Sequence, residues 1–224
     1  MRHNWLGVSV VAVLALFGTS SSFAQGVAEK GPARFTEENK SAKVKALEAG
    51  AKAVQDTAPA KQLGLYLDGF HNYKRQADLP AEKQHQMRVS HYCQMVNGDF
   101  IQCAVFDGNT KEAHLIGIEY IVSDKLFRSL SEDEKRYWHP HDGEVDSGML
   151  ILPGMLILPG VPEPAQKEFL AIARTTHGKT WHVWDTHSQA LPFGEPSLMW
   201  AIDPKQINQS TRQMMEARKK NLKF

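Results

Sequence analysis

Short apolar runs broken by turn signals fill the middle of this chain, and longer charged or amphipathic stretches flank them. From Arg88 onward, "VSHYCQMV" and "FIQCAVF" alternate around Asn97-Gly98, a dipeptide that favours a tight reversal, so the two runs predict a β-hairpin. "HLIGIEYIVS", His114 to Ser123, is dense in β-branched residues and predicts a further strand. "KTWHVWDTH" alternates from Trp181 to His187. As a strand it would place Trp181, Val183, Asp185 and His187 on one face, with His182, Trp184 and Thr186 on the other. "LGLYLDGFHNYKR" is apolar and aromatic without a clean period, and we read it as helix.

The flanks follow a helical period. "TEENKSAKVKALEAGAKAVQD" carries Val44, Leu47 and Val54 at helical spacing and predicts a surface helix ended by Pro59. Ser131 and Glu134 form a capping box for a short helix that Pro140 terminates. "PEPAQKEFLAIARTTHG" predicts a helix with Phe169, Ile172 and Ala173 inward and Gly178 just past its end. Asp203-Pro204 offers an N-cap and first-turn proline for a last helix through "QINQSTRQMMEARKKNL". Its basic end, Arg218 to Lys220, would complement the helix dipole. Strands in the middle and helices outside them predict an α+β fold: a mainly antiparallel central sheet with helices at both ends, in a single domain.

The ends change the picture of where the chain works. "MRHNWLGVSVVAVLALFGTSSSFAQG" has a basic start, an apolar stretch and small residues up to Ala24, the layout of a signal peptide over residues 1–24. Cleavage near Ala24 would give a periplasmic or secreted protein, with a polar leader and surface helix over 25–60 and the main domain over 61–224. That removal takes away Arg2 alone among the charged side chains, leaving 25 basic against 25 acidic groups. A neutral chain gives no electrostatic reason to expect nucleic acid as a partner. The mature chain has no second apolar segment near the roughly 20 residues of a membrane span, and nothing in it fixes the oligomeric state.

Cys93 and Cys103 flank the Asn97-Gly98 turn symmetrically about Gly98. A three-residue loop, Asn97 to Asp99, would put them directly opposite and favour a disulfide in an oxidising compartment. A two-residue turn would leave them out of register, as two small buried thiols.

The densest chemistry lies in "YWHPHDGEVDSG". His139 and His141 point the same way if the stretch is extended, so two imidazoles can converge on one divalent transition metal. Glu144 would add an oxygen ligand or act as a base on bound water. The alternative is that Trp138, His139 and His141 pack at a corner and bond backbone carbonyls. A second set comprises His177, His182 and His187, with Asp185 and His187 as an acid–base pair or supporting pair if they share a strand face. No nucleophile elbow or phosphate-binding glycine loop is present.

"GMLILPGMLILPG", Gly148 to Gly160, repeats one hexapeptide. An insertion of six residues preserves the alternation of a strand, so the sheet can use either copy. With Pro153 and Pro159 it cannot span a membrane, and a solenoid would need more copies.

Three stretches carry a family resemblance: "SHYCQMVNGDFIQCAVFDG", the segment "AHLIGIEYIVSDKLFRSLSEDEKRYWHPHDGEVDSGMLILPGVPEP" with the repeat counted once, and "LPFGEPSLMWA". Together they resemble the oil-body-associated protein family, a domain of unknown function, over about Leu65 to Pro204; the signal peptide would fit an exported bacterial member. The resemblance implies association with lipid-droplet surfaces and no established reaction, and that family's pattern includes the positions Cys93, Cys103, His139, His141 and Glu144. It also implies one copy of the hexapeptide, which makes the second a tandem duplication. Two functions follow as expectations. The first is a non-enzymatic protein that binds an apolar ligand, a lipid surface or an envelope partner. The second is a metal-binding protein or metal-dependent enzyme centred on His139, His141 and Glu144.

Overall fold

The computed structural model describes residues 40–153 and 163–221. The signal-peptide and leader assignments, and the second copy of the hexapeptide, lie outside the described residues. The elements run α1 (Ala42–Val54), α2 (Ala58–Lys61), β1 (Leu65–Tyr73), β2 (Gln86–Met95), β3 (Phe100–Phe106) and β4 (Leu115–Ser123). There follow α3 (Asp124–Ser129), α4 (Glu132–Lys135), β5 (His139–Pro140), α5 (Asp142–Asp146), α6 (Glu163–Ala173), β6 (Thr176–His182), β7 (Ser197–Ala201) and α7 (Gln209–Asn221).

Every strand pairing is antiparallel, and the sheet closes on itself. The order β4-β3-β2-β1-β7-β6 is completed by pairing of β4 with β6, and β5 extends the β6 edge beyond β7. The expected α+β composition and antiparallel pairing hold, but the central sheet with helices at both ends is corrected to a six-stranded closed barrel. Closure removes the exposed edges that an open sheet of this length would present. Four helices also sit between β4 and β6, where the capping serines Ser123 and Ser131 start the first two of them.

Three local readings are corrected with it. "LGLYLDGFHNYKR" is strand β1, because both of its faces are buried, one in the barrel and one under α7, which removes the polar alternation a half-exposed strand would show. Gly178 lies within β6, since α6 stops at Ala173, and Ile172 faces outward while Leu170 packs with Phe169. Asp203 caps a single 3-10 turn, Pro204–Gln206; Asn208 caps α7, accepting from the Thr211 amide at 2.8 Å.

The inward face can be followed by register. Leu67 opposes His91, His91 opposes Val105, Val105 opposes Gly117, and Gly117 opposes His182; cross-strand partners share a face. On β1 and β2 this face passes from apolar to polar to apolar. At one end Leu67, Cys93, Ile101, Cys103 and Ile121 are buried with Ala173 of α6 and with Leu150 and Leu152 of the first hexapeptide copy. At the other, Tyr73, Met87, Val89, Val105, Ile116 and Met199 close the barrel. Cys93 and Cys103 oppose each other with Cα atoms 4.0 Å apart and are joined by a disulfide, as the three-residue loop requires.

Outside the barrel, α7 covers Phe70, Met149 and Ile202. Its Arg218, in the basic helix end read as complementing the dipole, is buried. It donates to Asp68 Oδ1 at 2.7 Å, to the Met149 carbonyl at 2.8 Å and to the Gly148 carbonyl. Asp68, fully buried, also accepts from Arg88 Nε at 2.9 Å and from the Tyr66 hydroxyl at 3.0 Å. Its backbone exchanges two hydrogen bonds with Ile151, each 3.0 Å. One arginine therefore ties the last helix, the first strand and the hexapeptide together.

Removing Arg218 leaves Asp68 with Arg88 as its counter-charge but strips a buried donor from Asp68 and from the Met149 and Gly148 carbonyls, which costs about 1–3 kcal/mol. Arg218→Ala should lower unfolding stability by that amount in urea melts, whereas Lys219→Ala, at an exposed neighbour, should stay within about 0.5 kcal/mol of the parent. Equal, small effects of the two substitutions would show that the clasp does not hold the fold.

Candidate metal centre inside the barrel

Between the two apolar ends lies a layer of ionisable side chains: His71 from β1, His91 from β2, Glu119 from β4, His139 and His141 from β5 and the residue after it, Glu144 from α5 and His182 from β6. All are buried. Glycines make the space. A Cβ on Gly178 would sit on Glu119 Oε1, 2.6 Å from His141 Nε2 and 3.0 Å from His139 Cε1, and one on Gly69 would press on His91 at 3.4 Å.

The layer contains two groups of donor atoms that share Glu119. In the first, Glu119 Oε2 lies 2.8 Å from His91 Nε2 and 3.8 Å from His71 Nε2, and the two ring nitrogens are 3.2 Å apart. In the second, Glu119 Oε1 lies 3.3 Å from His141 Nε2 and 3.7 Å from His139 Nε2. Glu144 Oε1 stands 3.8 Å from His141 Nε2. Ligand atoms about 2.0–2.1 Å from a tetrahedral ion are about 3.3 Å from each other, so these separations leave room for a transition metal.

Second contacts orient the rings. Thr176 Oγ1 gives its hydrogen to the Ala173 carbonyl at 2.6 Å, so it can only accept from His141 Nδ1 at 2.8 Å. That places a proton on Nδ1 and points Nε2 at Glu119 and Glu144. His71 Nδ1 lies 3.1 Å from His182 Nε2, an arrangement that frees His71 Nε2 when His71 donates. Several buried nitrogens find no hydrogen-bond partner: both of His139, Nδ1 of His91 and Nδ1 of His182. Buried polar atoms seldom go unpaired.

Charge follows the same geometry. Burial and the charges of His91 and the other histidines hold the His71 pKa well below its ordinary value, against Glu119. Burial takes His139 and His182 down to about 3, with His141 adding to the effect on His139 and His91 to that on His182. These three rings are neutral and keep a lone pair. Burial opposes charge on His91 and His141 as well, but Glu119 outweighs it and raises both. Burial also opposes charge on Glu119, yet His91 and His141 hold its pKa well below the carboxylate range. Burial raises Glu144 to about 7. The donor set, imidazoles around a shared carboxylate, suits a divalent transition metal.

Two clefts reach this layer from outside. One, of about 370 Å³, is lined by His139, Glu144, Asn72, Trp200 and Asp203. The other, of about 280 Å³, has His182, Tyr73, Asp185 and Ser188 in its wall.

The structure thus brings His139, His141 and Glu144 together, as the sequence led us to expect, and adds the companions that sequence reasoning missed: His71, His91 and Glu119, with His182 behind them. Asp185 and His187 do not share a strand face, because β6 ends at His182; with His85 they form a separate, partly exposed group, His85 Nε2 lying 3.7 Å from Asp185 Oδ1. His177 faces away and stacks on Phe127 at 3.7 Å.

A small closed β-barrel with histidines and carboxylates sealed in its interior is the class this fold and site define. The family model described as "Protein of unknown function (DUF1264)" matches residues 57–224, so the chain belongs to that family. It is 39% identical over 184 residues to oil body-associated protein 2A of Arabidopsis thaliana, covering 79% of this chain and 69% of that one. It is 40% identical to oil body-associated protein 2B of the same plant, over 72% of this chain and 60% of the relative. With oil body-associated protein 1A of Zea mays it shares 38% identity, over 70% of this chain and 61% of the relative. No solved structure matches.

Gly178→Ala tests the packing of the layer. Its methyl group has no room beside Glu119 and His141, and overpacking of this kind costs about 1–3 kcal/mol. Thermal melts should show that loss, while Gly98→Ala, whose Cβ meets nothing within 4 Å, should melt with the parent. A Gly178→Ala protein as stable as the parent would mean that the layer is looser than its distances imply.

Proposed function

We propose that this chain is a metal-binding protein whose centre is the interior layer of Glu119, His71, His91, His139 and His141, with Glu144 beside it. The observation that carries the reading is the convergence of four buried imidazole nitrogens on the two oxygens of one carboxylate, one of them, His139 Nε2, having no hydrogen-bond partner. A metal would polarise, or lower the pKa of, whatever oxygen ligand completes its shell from the cleft that His139 and Glu144 line. The chain's residues supply the rest: Thr176 and His182 fix ring orientation, and the apolar ends keep bulk water out. No reaction is assigned. The signal-peptide layout of residues 1–24 and the Cys93–Cys103 disulfide support export, and residues 25–224 as the working protein.

Elemental analysis of the exported, untagged protein tests this, with its N-terminus read by mass spectrometry. Zinc, manganese, iron or copper should be present at one equivalent per chain or more. Glu119→Gln should weaken binding by more than about 100-fold, beyond the effect usual for an outer-shell residue. Folded protein that takes up no metal under any reconstitution would end this reading.

A second reading concerns the outside of the same barrel. Leu115, Ile118, Trp181, Val183 and Pro196 line an open groove of about 700 Å³. The relatives are named for oil bodies, and this apolar face supports a lipid-surface contact here too. Among the described residues no helix is long and apolar enough to cross a membrane. The protein should float with phosphatidylcholine-coated triacylglycerol droplets, and Ile118→Asp/Val183→Asp should abolish flotation. Recovery of the parent wholly in the soluble fraction would remove this second role.

A further inference from the structure

We propose that the barrel holds not one metal ion but two, bridged by the Glu119 carboxylate: one on His71, His91 and Oε2, the other on His139, His141 and Oε1. The inference rests on the metal-binding reading above and adds the number of ions and their connection.

The two donor groups have only Glu119 in common, and each uses a different oxygen of it. Each group has its own pair of histidines on its own elements, β1 and β2 for one, β5 and the residue after it for the other. Each also has its own orienting partner: His182 behind His71 at 3.1 Å, and Thr176 behind His141 at 2.8 Å. A single ion would need only one such set, and the second set of buried imidazoles would then have only the other oxygen of Glu119 to offset its desolvation. A carboxylate that presents both oxygens to separate ligand sets is the usual bridge of a two-metal site, in which ions stand about 3.5–4 Å apart. Gly178 supports the arrangement: it is the position where any side chain would block the second ion's side of the bridge, at Glu119 Oε1 and His141 Nε2.

Charge gives the ligand class. Two divalent ions carry four positive charges, against two from Glu119 and Glu144 at most. The remaining positions therefore call for anionic or strongly polarised oxygen donors, such as hydroxide, carboxylate or phosphate oxygens. The cleft beside His139 and Glu144 gives such a ligand access to the second ion.

The full chain is loaded with zinc(II) alone or manganese(II) alone, dialysed, and counted per chain. His187→Ala removes the surface group of His85, Asp185 and His187 and should leave the count unchanged. Two equivalents are expected in both proteins, and the manganese form should give the electron paramagnetic resonance of an exchange-coupled pair. His71→Ala/His91→Ala and His139→Ala/His141→Ala should each retain one ion and lose the coupled signal. One equivalent in the parent overturns the pair but leaves the metal-binding reading standing, and none overturns both. Two ions with uncoupled spectra overturn the bridge. The parent protein alone decides these outcomes if a double variant fails to fold.

Discussion

The burial of a carboxylate among imidazoles is the constraint around which this molecule is arranged. Glu119 lies on the inner face of a barrel strand, and moving a charge out of water is tolerable only where partners surround it. The partners come from strands that are distant in sequence, so the barrel must close before the carboxylate is satisfied. The glycines at 69, 117 and 178 stand where rings and carboxylate need volume: a Cβ on Gly117 would lie 2.9 Å from His182 Cδ2, and those on the other two would meet the layer directly. Apolar residues at both ends then keep the layer dry, which strengthens every attraction inside it and penalises every nitrogen left unpaired. A protein without ligand would leave several such nitrogens. The same arrangement with a cation at the carboxylate engages the metal-facing ones.

The clasp outside the barrel protects that interior. Asp68 and Gly69 are neighbours on β1 with opposite faces, the first bonded to Arg218 and the second under Leu150 and His91. Through Ile151 and the Gly148 and Met149 carbonyls, Asp68 and Arg218 hold the hexapeptide in place, and Leu150 and Leu152 are thereby pushed into the barrel end. The first copy of the repeat is thus a plug with a defined anchor. Its alternation serves both purposes, since Ile151 pairs with β1 while Leu150 and Leu152 point into the core. A six-residue duplication leaves that alternation unchanged, which is why the chain can carry it.

How much of this was legible in the sequence depended on the range of each signal. The hairpin around Asn97-Gly98 and the cysteine pair were legible because turn chemistry sets register over ten residues. His139, His141 and Glu144 were legible because they are adjacent. Glu119 carried a signal that went unused: a lone acid in "HLIGIEYIVS", in phase with Gly117 and Ile121 and out of phase with Ile118 and Tyr120. His71 was hidden because β1 was read as helix. A strand buried on both faces loses its period and cannot be told from a buried helix by pattern. His91 and His182 sat in strands correctly expected, yet no local spacing links positions 71, 91, 119 and 182. Only closure of the sheet brings them together. The clasp of Arg218 carried no local signal either, since its partner lies 150 residues away.

On β4 and β6 the usual arrangement of a soluble barrel is inverted. Glu119, Gly178, Thr180 and His182 point inward, while Leu115, Ile118, Tyr120, Trp181 and Val183 point out or lie at the rim, several of them more than 40% exposed. Period-two geometry couples the two faces: once one residue is fixed at the bridge between the histidine pairs, its neighbours are committed to the opposite side. An apolar exterior on these two strands is therefore neither required by the core nor used by it. Its gathering into one groove, rather than scattered residues, is what a contact surface needs. Interior chemistry and exterior contact can thus be read as two faces of the same pair of strands, which is how one small barrel can carry both.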